Sequence, residues 1–452
     1  MSIKRRITTA SSARDMTRGS IWRHLISFSI PLMLGNLFQL SYNMVDTVVI
    51  GRFAGSTALA AVGTCDQIMN LLILGVSGVC IGASVLMGHF FGAGEHDRLI
   101  SELRTTVVMG LLFALMVMAL GIPLTGGIFA LMRVGPEMLP EATLYLRVIF
   151  AGMPFTCLYN IYAAALRSIG DSSTPVRYLI LSCFVNAAMD VLLVVGAHMG
   201  VLGAALATVA AQALSSVLCI CHVNRRVPLL RTDWRALRID RDLLGMTLSY
   251  GGMTALQQCS QPIGNLIIQS SVNGLGISAA AAFSAVRKIE DIGLLPGRSI
   301  STAITALVAQ NRGAKDHERV EQGYRRGMGL ECMAGAAVCL VVLILRRPLM
   351  TLFTTDADIV EQGVRYFNII AYCYWLPCLT NGIQGYFRGM GRITVTLFGT
   401  VTQISVRVAA TLLLVPVMLI PGVGLACVLG WTALLAWEVP LQRRVCRVEK
   451  AT

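Results

Sequence analysis

Charged side chains are scarce in this sequence. They make up 13% of its 452 residues, whereas hydrophobic residues make up 55%. A soluble chain carries about twice that share of charge. Apolar segments of about 20 residues or more recur from one end to the other, and each is long enough to cross a bilayer as a helix. The composition therefore excludes a soluble globular protein and predicts an all-α integral membrane protein.

The sequence also lacks the motifs of the common enzyme classes. It contains no His–acid pair at ligand spacing, no GxSxG nucleophile elbow and no glycine-rich phosphate loop. The thirteen cysteines are scattered and do not combine with histidines at metal-ligand spacing. A cleavable signal peptide is not evident, because the basic start runs into a long polar tail. We therefore expect neither an enzyme nor a cofactor, and no metal site built from the cysteines and histidines.

The apolar segments predict the number of membrane crossings. Polar or charged stretches separate them, and they divide the chain into twelve transmembrane helices. These lie near residues 22–50, 57–90, 100–126, 142–167, 174–197, 202–224, 242–271, 278–310, 327–345, 362–388, 393–418 and 423–442.

The distribution of basic residues predicts the orientation. If the N-terminus is cytoplasmic, the cytoplasmic segments hold 27 Lys and Arg residues and the outer segments hold about five. This asymmetry is the positive-inside rule, and it places both termini in the cytoplasm of a multi-pass protein of the cell (inner) membrane. It also explains the net charge of +13 without nucleic acid as a partner. Anionic membrane lipids are the expected partners of these basic segments.

An internal repeat at a constant offset of 221 residues indicates that six helices were duplicated. GAGEHDR at 92–98 matches GAKDHER at 313–319, and Tyr145 matches Tyr366. Six helices return the chain to its starting side, so we predict two six-helix lobes related by a pseudo-two-fold axis along the membrane normal. The predicted segments are a cytoplasmic tail at 1–20, an N-terminal lobe at 21–225, a cytoplasmic linker at 226–241, a C-terminal lobe at 242–446 and a second tail at 447–452.

Four stretches of the sequence resemble one transporter family. They are YNMVDTVVIGRFAGSTALAAVG, GHFFGAGEHDRL, ALRSIGDSSTP and NAAMDVLLVVGAHMGVLGAALATVAAQ. Together they are similar to the multidrug and toxic compound extrusion (MATE) family, of the DinF-like and NorM-like bacterial type, over essentially the full length. The resemblance implies a secondary active antiporter that exports amphipathic, often cationic organic compounds in exchange for protons or sodium ions. We expect it to act as a monomer.

A flippase for a lipid-linked sugar or phospholipid is the alternative within the same superfamily. Such flippases share the lobe pattern but typically carry two more helices, which this chain lacks. A flippase needs cations in its cleft to hold phosphate groups. Here four cations of the C-terminal half keep the alternative open: Arg287, Lys288, Arg298 and Arg407.

The resemblance implies a cation-coupling site in the N-terminal lobe. DinF-like members place an aspartate fifteen residues after a helix-1 proline, as Asp46 follows Pro31, and an Asn–Asp pair four residues apart in helix 5, as in Asn186 and Asp190. A helix-6 threonine matches Thr208. The helix-4 asparagine of that site has no secure counterpart, since Asn160 is the nearest candidate and the usual spacing gives Ala163.

Depth along each helix tests this assignment independently. Asp46, Asp190 and Thr208 all fall in the outer part of their predicted helices. Asn160 lies too deep in the membrane to meet these three residues, whereas Tyr145 lies at their depth. Two carboxylates in an apolar pocket repel each other, so one takes up a proton readily, and nearby amide and hydroxyl oxygens suit a small cation. The alternatives are that Asp46 reaches the outer interface and that Thr208 bonds its own helix backbone.

The C-terminal lobe does not repeat this site. At the offset of 221, Asp46 meets Ile267 and Asp190 meets Thr411. Helix 8 instead carries RKIED at 287–291, where Glu290 and Asp291 are within reach of Arg287 along the helix and of Arg407 on helix 11. These residues form either a neutralised structural group or part of the substrate site. The acids that NorM-like members use on helices 7 and 10 are replaced by glutamines at 257, 258, 261 and 384.

Overall fold

The structure, a computed structural model, describes residues 14–451, with side chains up to Cys446. The first half of the chain forms six helices: α1 (Ile21–Phe53), α2 (Ser56–Ala93), α3 (His96–Leu131), α4 (Leu139–Ser168), α5 (Ser173–Asp190) and α6 (Gly200–Arg226). A π-helical turn, Val191–Gly196, follows α5, and two short 3-10 turns, Pro228–Leu230 and Trp234–Ala236, lie after α6.

The second half forms eight helices, because two of its predicted spans are broken. They are α7 (Arg241–Asn273), α8 (Ile277–Gly293), α9 (Leu295–Gly313), α10 (His317–Thr351), α11 (Ala357–Ile370), α12 (Trp375–Gly389), α13 (Ile393–Met418) and α14 (Ile420–Ala451). Among the described helices, nine are long and apolar enough to span a membrane singly, and the bent pair α8–α9 passes that test together. A 3-10 turn, Ala371–Cys373, separates α11 from α12.

Both breaks in the second half lie next to prolines. Helix α8 ends at Gly293 and α9 begins at Leu295 with Pro296 in its first turn, and the two axes differ by 40°. Helix α12 begins at Trp375, two residues before Pro377. Proline has no N–H to donate to the preceding turn and its ring clashes with that turn, so a helix ends or bends at this point. The sequence analysis predicted each of these regions as one continuous span.

The 221-residue repeat is visible in the helix bounds. Adding 221 to the bounds of α2 gives 277–314, and the pair α8–α9 runs from Ile277 to Gly313. The same shift of α3 gives 317–352, and α10 runs from His317 to Thr351. Two copies of one six-helix unit therefore fold with nearly the same helix lengths, although the second copy contains the additional breaks.

The chain divides into two compact units within helices α1 and α7. One unit contains Leu34–Ala255 and the described residues before Met16, and the other contains Met16–Met33 and the chain from Leu256 onward. The division differs from the predicted lobe bounds of 21–225 and 242–446, because residues 21–33 group with the second unit and residues 242–255 with the first. Of the predicted tails, residues 1–13 and residue 452 lie outside the described chain.

Contacts within each unit explain why the division falls inside these helices. In the second unit, the Ser29 hydroxyl of α1 donates to the Ser299 carbonyl of α9 at 3.5 Å. In the first unit, Gly82 of α2 packs on α7 so closely that an added Cβ would lie 2.5 Å from the Gly251 nitrogen. The long first helix of each repeat therefore changes its packing partners about halfway along its length.

An apolar cluster in the first unit holds together the helix ends that carry the predicted site. It contains Ile50 of α1, Ala61 of α2, Tyr145 of α4, Val194 of the π-helical turn and Ala204 of α6, all of them buried. Their packing brings the C-terminal ends of α1 and α5 next to the N-terminal ends of α2, α4 and α6. The depth argument from the sequence predicted that these ends lie at one level.

Candidate functional site

The four residues predicted for cation coupling share one property in the structure. Each has a buried polar atom with no hydrogen-bond partner among the described residues: Asp46 Oδ1, both side-chain polar atoms of Asn186, both carboxylate oxygens of Asp190, and Thr208 Oγ1. Asn186 and Asp190 are almost completely buried. Most buried polar atoms in proteins have a partner, so four such residues in one unit need an explanation.

The backbone at Asp190 is irregular. This residue ends α5, and the following π-helical turn carries hydrogen bonds of wider spacing, such as Ala197 N–H to Leu192 O at 2.9 Å. Insertions of π-helix within α-helices occur frequently at functional sites. Asp190 therefore lies where the helix passes from α-helical to π-helical hydrogen bonding.

The two predicted aspartates are electrostatic neighbours, and a third aspartate joins them. The charge of Asp46 acts on Asp190, and the charge of Asp66 on α2 acts on Asp46. The Tyr42 side chain on α1 interacts with Asp46, Asp190 and Thr208. Tyr145 on α4 is buried beside Asp46 and Asp66. We call Asp46, Asp66, Asp190 and Thr208, with Tyr42 and Tyr145, the aspartate cluster.

The sequence analysis did not identify Asp66. It is an acidic residue inside a predicted span, which is the signal that singled out Asp46, but the family pattern of helices 1, 4, 5 and 6 does not include it. An ionisable residue within a membrane span is a candidate for function wherever it lies. The same test applied to every span would have found it.

The two helix-4 candidates behave differently. Tyr145 lies in the aspartate cluster, as the depth argument favoured. Asn160 donates its side-chain amide to the Thr156 carbonyl of its own helix at 2.8 Å. No described contact places Asn160 in the cluster, so Tyr145 is the helix-4 residue of this site in the structure.

A second group of polar residues surrounds Glu290 in the second unit. The hydroxyls of Tyr366 and Tyr374 donate to Glu290 Oε1 at 3.0 and 3.1 Å. Arg407 is an electrostatic neighbour of Glu290 and donates from Nη1 to Asn265 Oδ1 at 3.3 Å. We call these five residues the Glu290 site. They bring together α7, α8, α11, α13 and the residue before α12.

The structure distinguishes the two acids of the RKIED segment. Asp291 pairs with Arg298 of α9 at 3.3 Å, and both side chains are about half exposed. The sequence analysis left Arg287 and Arg407 as partners of either acid, whereas in the structure both are electrostatic neighbours of Glu290. The reason is the break at Leu294, which turns α9 so that Arg298 reaches Asp291.

The glutamines predicted on helices 7 and 10 form hydrogen bonds in the second unit. Gln257 Nε2 donates to Gln384 Oε1 at 3.2 Å and to Thr400 Oγ1 at 3.0 Å. Thr396 Oγ1 donates to Gln257 Oε1 at 3.2 Å. These amides and hydroxyls satisfy one another, in contrast to the aspartate cluster, where oxygens lack partners.

The aspartate cluster has the chemistry of a site for a proton or a small hard cation. Carboxylate, amide and hydroxyl oxygens are the ligands that such cations prefer. Like charges close together in a low dielectric favour uptake of a proton or a cation, because either one reduces the repulsion. The site therefore has two states of different charge, and it can couple ion occupancy to the packing of α1, α2 and α5.

Comparisons with known proteins show the family of the chain. The family model described as MatE matches residues 31–192 and again residues 254–413, one match in each repeat. The probable multidrug resistance protein YoeA of Bacillus subtilis (strain 168) is 28% identical over 384 residues, covering 83% of each chain. The probable multidrug resistance protein NorM of Thermotoga maritima is 25% identical over 385 residues, covering 82% of this chain and 80% of that protein.

Solved structures support the fold. One described as the outward-facing conformation of a multidrug resistance MATE family transporter of the MOP superfamily matches with a TM-score of 0.90 at 22% identity, covering 97% of this chain and 98% of the other. The predicted fold class is thereby confirmed: an all-α integral membrane protein with twelve transmembrane segments in two six-helix lobes.

Proposed function

Since the chain belongs to the MatE family, a family of membrane transporters rather than enzymes, we propose that it is an antiporter that exports amphipathic, often cationic organic compounds in exchange for protons or sodium ions. It resides in the cell membrane as a multi-pass protein with both termini in the cytoplasm. Two relatives are named as probable multidrug resistance proteins, which supports this substrate class. The exchanged ion binds at the aspartate cluster.

The observation that carries the proposal is the lack of partners in the aspartate cluster. Asp46 Oδ1 and both Asp190 oxygens are buried without a hydrogen bond in the described chain. A static scaffold gains nothing from such groups, because burying them costs free energy. An ion-coupled transporter needs them, because an ion shifts a conformational equilibrium only by its different affinity for the two states.

Helix α1 provides a route from ion binding to conformational change. Asp46 lies on this helix, fifteen residues after Pro31. Pro31 removes one backbone hydrogen bond, so the helix bends more easily there. When an ion neutralises Asp46, its repulsion with Asp66 and Asp190 falls, and the outer half of α1 can repack in the first unit. This step links ion occupancy to the shape of that unit.

The flippase alternative receives less support from the side chains. It requires free cations to hold phosphate groups, and three of the four candidates have acidic neighbours. Arg298 pairs with Asp291, and Arg407 lies beside Glu290. Arg287 is also in the field of Glu290. Export of organic compounds is therefore the better supported function.

Efflux from everted membrane vesicles tests the proposal. An imposed pH gradient and an imposed sodium gradient are applied one at a time, and the transport of a fluorescent cationic dye is measured. We expect one of the two gradients to drive dye transport, and an ionophore that collapses that gradient to stop it. Dye movement that is independent of both gradients would contradict antiport. Movement of a fluorescent lipid-linked sugar instead of the dye would favour the flippase.

A further inference from the structure

A buried cluster in the second unit, which the proposed function does not use, contains two glutamates and one arginine. Glu331 lies on α10, Arg388 in the last turn of α12 and Glu438 on α14. Both glutamates are 0% exposed. None of their four carboxylate oxygens accepts a hydrogen bond from the described part of the chain. Burying a charged carboxylate without partners costs free energy, so we expect the cluster to bind a ligand that reduces its charge.

Two glycines make the space in which the Glu331 carboxylate lies. A Cβ added at Gly297 of α9 would lie 3.0 Å from Glu331 Oε2. A Cβ added at Gly382 of α12 would lie 3.1 Å from Glu331 Cγ. The Cβ added at Gly297 would also lie 3.3 Å from Cys378 Sγ and 3.5 Å from Asn381 Nδ2, so the carboxylate is enclosed between α9 and α12 beside a thiol and an amide, neither of which bonds to it.

Glu438 lies next to the glutamine network. A Cβ added at Gly399 of α13 would lie 3.0 Å from Glu438 Oε1. Gln384 is its neighbour on α12, but the amide of Gln384 is already bonded, accepting from Gln257 at 3.2 Å and donating to Thr400 at 3.3 Å. One N–H of the Gln384 amide remains for Glu438, so the glutamine can satisfy at most one of the two carboxylate oxygens.

Arg388 is the electrostatic neighbour of both glutamates. Its Nη2 donates to Ser301 Oγ of α9 at 2.8 Å, and its Nε is buried without a partner in the described chain. The other titratable groups that face the two acids are Cys378 of α12, Tyr324 of α10 and Cys446 of α14. Thiols and phenols are neutral at physiological pH. Two carboxylates and one guanidinium leave one excess negative charge.

We propose that Glu331, Glu438 and Arg388 form a second ion-exchange site, in the second unit, that binds one proton. The proposal rests on the antiport proposed above and assigns the exchanged ion at this site. A carboxylate oxygen of one glutamate forms an O–H bond with a proton taken from water on one side of the membrane. That bond breaks when the proton is released to water on the other side. The second glutamate and Arg388 compensate each other throughout.

A proton fits this cluster better than a sodium ion. A sodium ion would lie next to a guanidinium in a medium of low dielectric, where like charges repel strongly. It would also need several oxygen ligands at once, and the amides and hydroxyls of the glutamine network beside Glu438 are already bonded to one another. A proton needs only one carboxylate oxygen.

Infrared spectroscopy of the purified full-length protein in lipid tests the proposal, because a protonated carboxylic acid has its own carbonyl stretch. The charges of the three residues predict how many protonated acids each variant contains. Relative to wild type, Glu331→Gln and Glu438→Gln should each lose one protonated acid, because the remaining glutamate pairs with Arg388. Arg388→Gln should gain one, and the double variant with Glu331→Gln and Arg388→Gln should match wild type. The exposed Glu318→Gln variant is the control and should show no change.

Equal signals in wild type, Glu331→Gln and Glu438→Gln would overturn the proposal. Loss of the wild-type signal on adding sodium at constant pH would overturn the assignment of a proton. Either single variant suffices if the other fails to fold, since both report on one proton. Wild type grown with isotope-labelled glutamate adds a test that needs no variant: an unshifted signal rules out a glutamate. The spectra do not depend on transport, so they stay informative if efflux proves independent of Asp46.

Discussion

The Tyr366 hydroxyl donates a 3.0 Å hydrogen bond to Oε1 of Glu290, seventy-six residues earlier in the chain. Tyr374 donates to the same oxygen, and Arg407 is the neighbouring cation. Two hydroxyl bonds and a neighbouring guanidinium each stabilise the charged form of a carboxylate. The Glu290 site thus holds a carboxylate oxygen with two hydroxyl partners and a nearby cation, although Arg407 Nε is buried without a partner in the described chain, whereas in the aspartate cluster the carboxylate oxygens themselves lack partners.

This arrangement predicts the effect of removing Arg407. Arg407→Ala removes the stronger of the two cationic neighbours of Glu290, the other being Arg287, and leaving a buried acid uncompensated costs up to about 3–5 kcal/mol. We expect a clear fall in the yield of folded protein, measured by fluorescence-detected size-exclusion chromatography. A second change, Glu290→Gln, should restore the yield because it removes the uncompensated charge.

Asp291 provides the matched control for this rescue. It adjoins Glu290 in sequence but pairs with Arg298, so Asp291→Asn should not restore the yield of Arg407→Ala. Equal rescue by both changes would mean that Arg407 serves the two acids together. If neither change rescues the yield, Arg407 is available to substrate or lipid phosphate, and the flippase alternative gains support.

Close helix packing in the first unit predicts the effect of enlarging one glycine. A Cβ at Gly82 would lie 2.5 Å from the Gly251 nitrogen, and backbone cannot move aside as a flexible side chain can. We expect Gly82→Val to lower the free energy of unfolding by about 1–3 kcal/mol, the usual cost of overpacking. Gly75→Val on the same helix is the control, because a Cβ there meets nothing within 4 Å. Thermal unfolding in detergent compares the two, and equal losses would contradict the packing.

The charge asymmetry predicts which side of the membrane each loop faces. In a cysteine-depleted variant, Arg238→Cys in the linker and Pro136→Cys between α3 and α4 should be labelled by an impermeant maleimide from opposite sides. Both positions are exposed in the structure. Arg238 should be labelled only in everted vesicles and Pro136 only in intact cells. Labelling of both in intact cells would refute the predicted topology.

Much of the fold was predictable because composition and periodicity determine it. Long apolar runs, the basic loops and the 221-residue offset are local or repeated signals, and they predicted twelve spans and a duplication. The bend at Leu294 and the break before Trp375 were missed, because the hydropathy of these segments is continuous. In the sequence, Pro296 and Pro377 are the residues that mark these two breaks. The division of the chain inside α1 and α7 depends on contacts between distant helices, which no single segment encodes.

The candidate site was predicted in part. Asp46, Asn186, Asp190 and Thr208 follow from the spacing in one family pattern, and the structure finds partnerless polar atoms in each. Asp66 was missed because the pattern was matched to selected helices. Glu331 and Glu438 were missed because nothing in their spans resembles a motif. Their significance comes from burial beside Arg388, which only the packing of α9, α10, α12 and α14 reveals.

The claim that the aspartate cluster couples ion binding to export is tested most directly by measuring efflux in the Asp46→Asn and Asp190→Asn variants. Both variants are measured in everted vesicles under the gradient that drives the wild type, with the exposed Asp242→Asn as control. We expect each variant to insert and fold normally but to lose gradient-driven dye transport, while equilibrium dye binding survives in at least one and no longer depends on pH or sodium. Export against the gradient at near wild-type rate by both variants would contradict the account and make these aspartates structural.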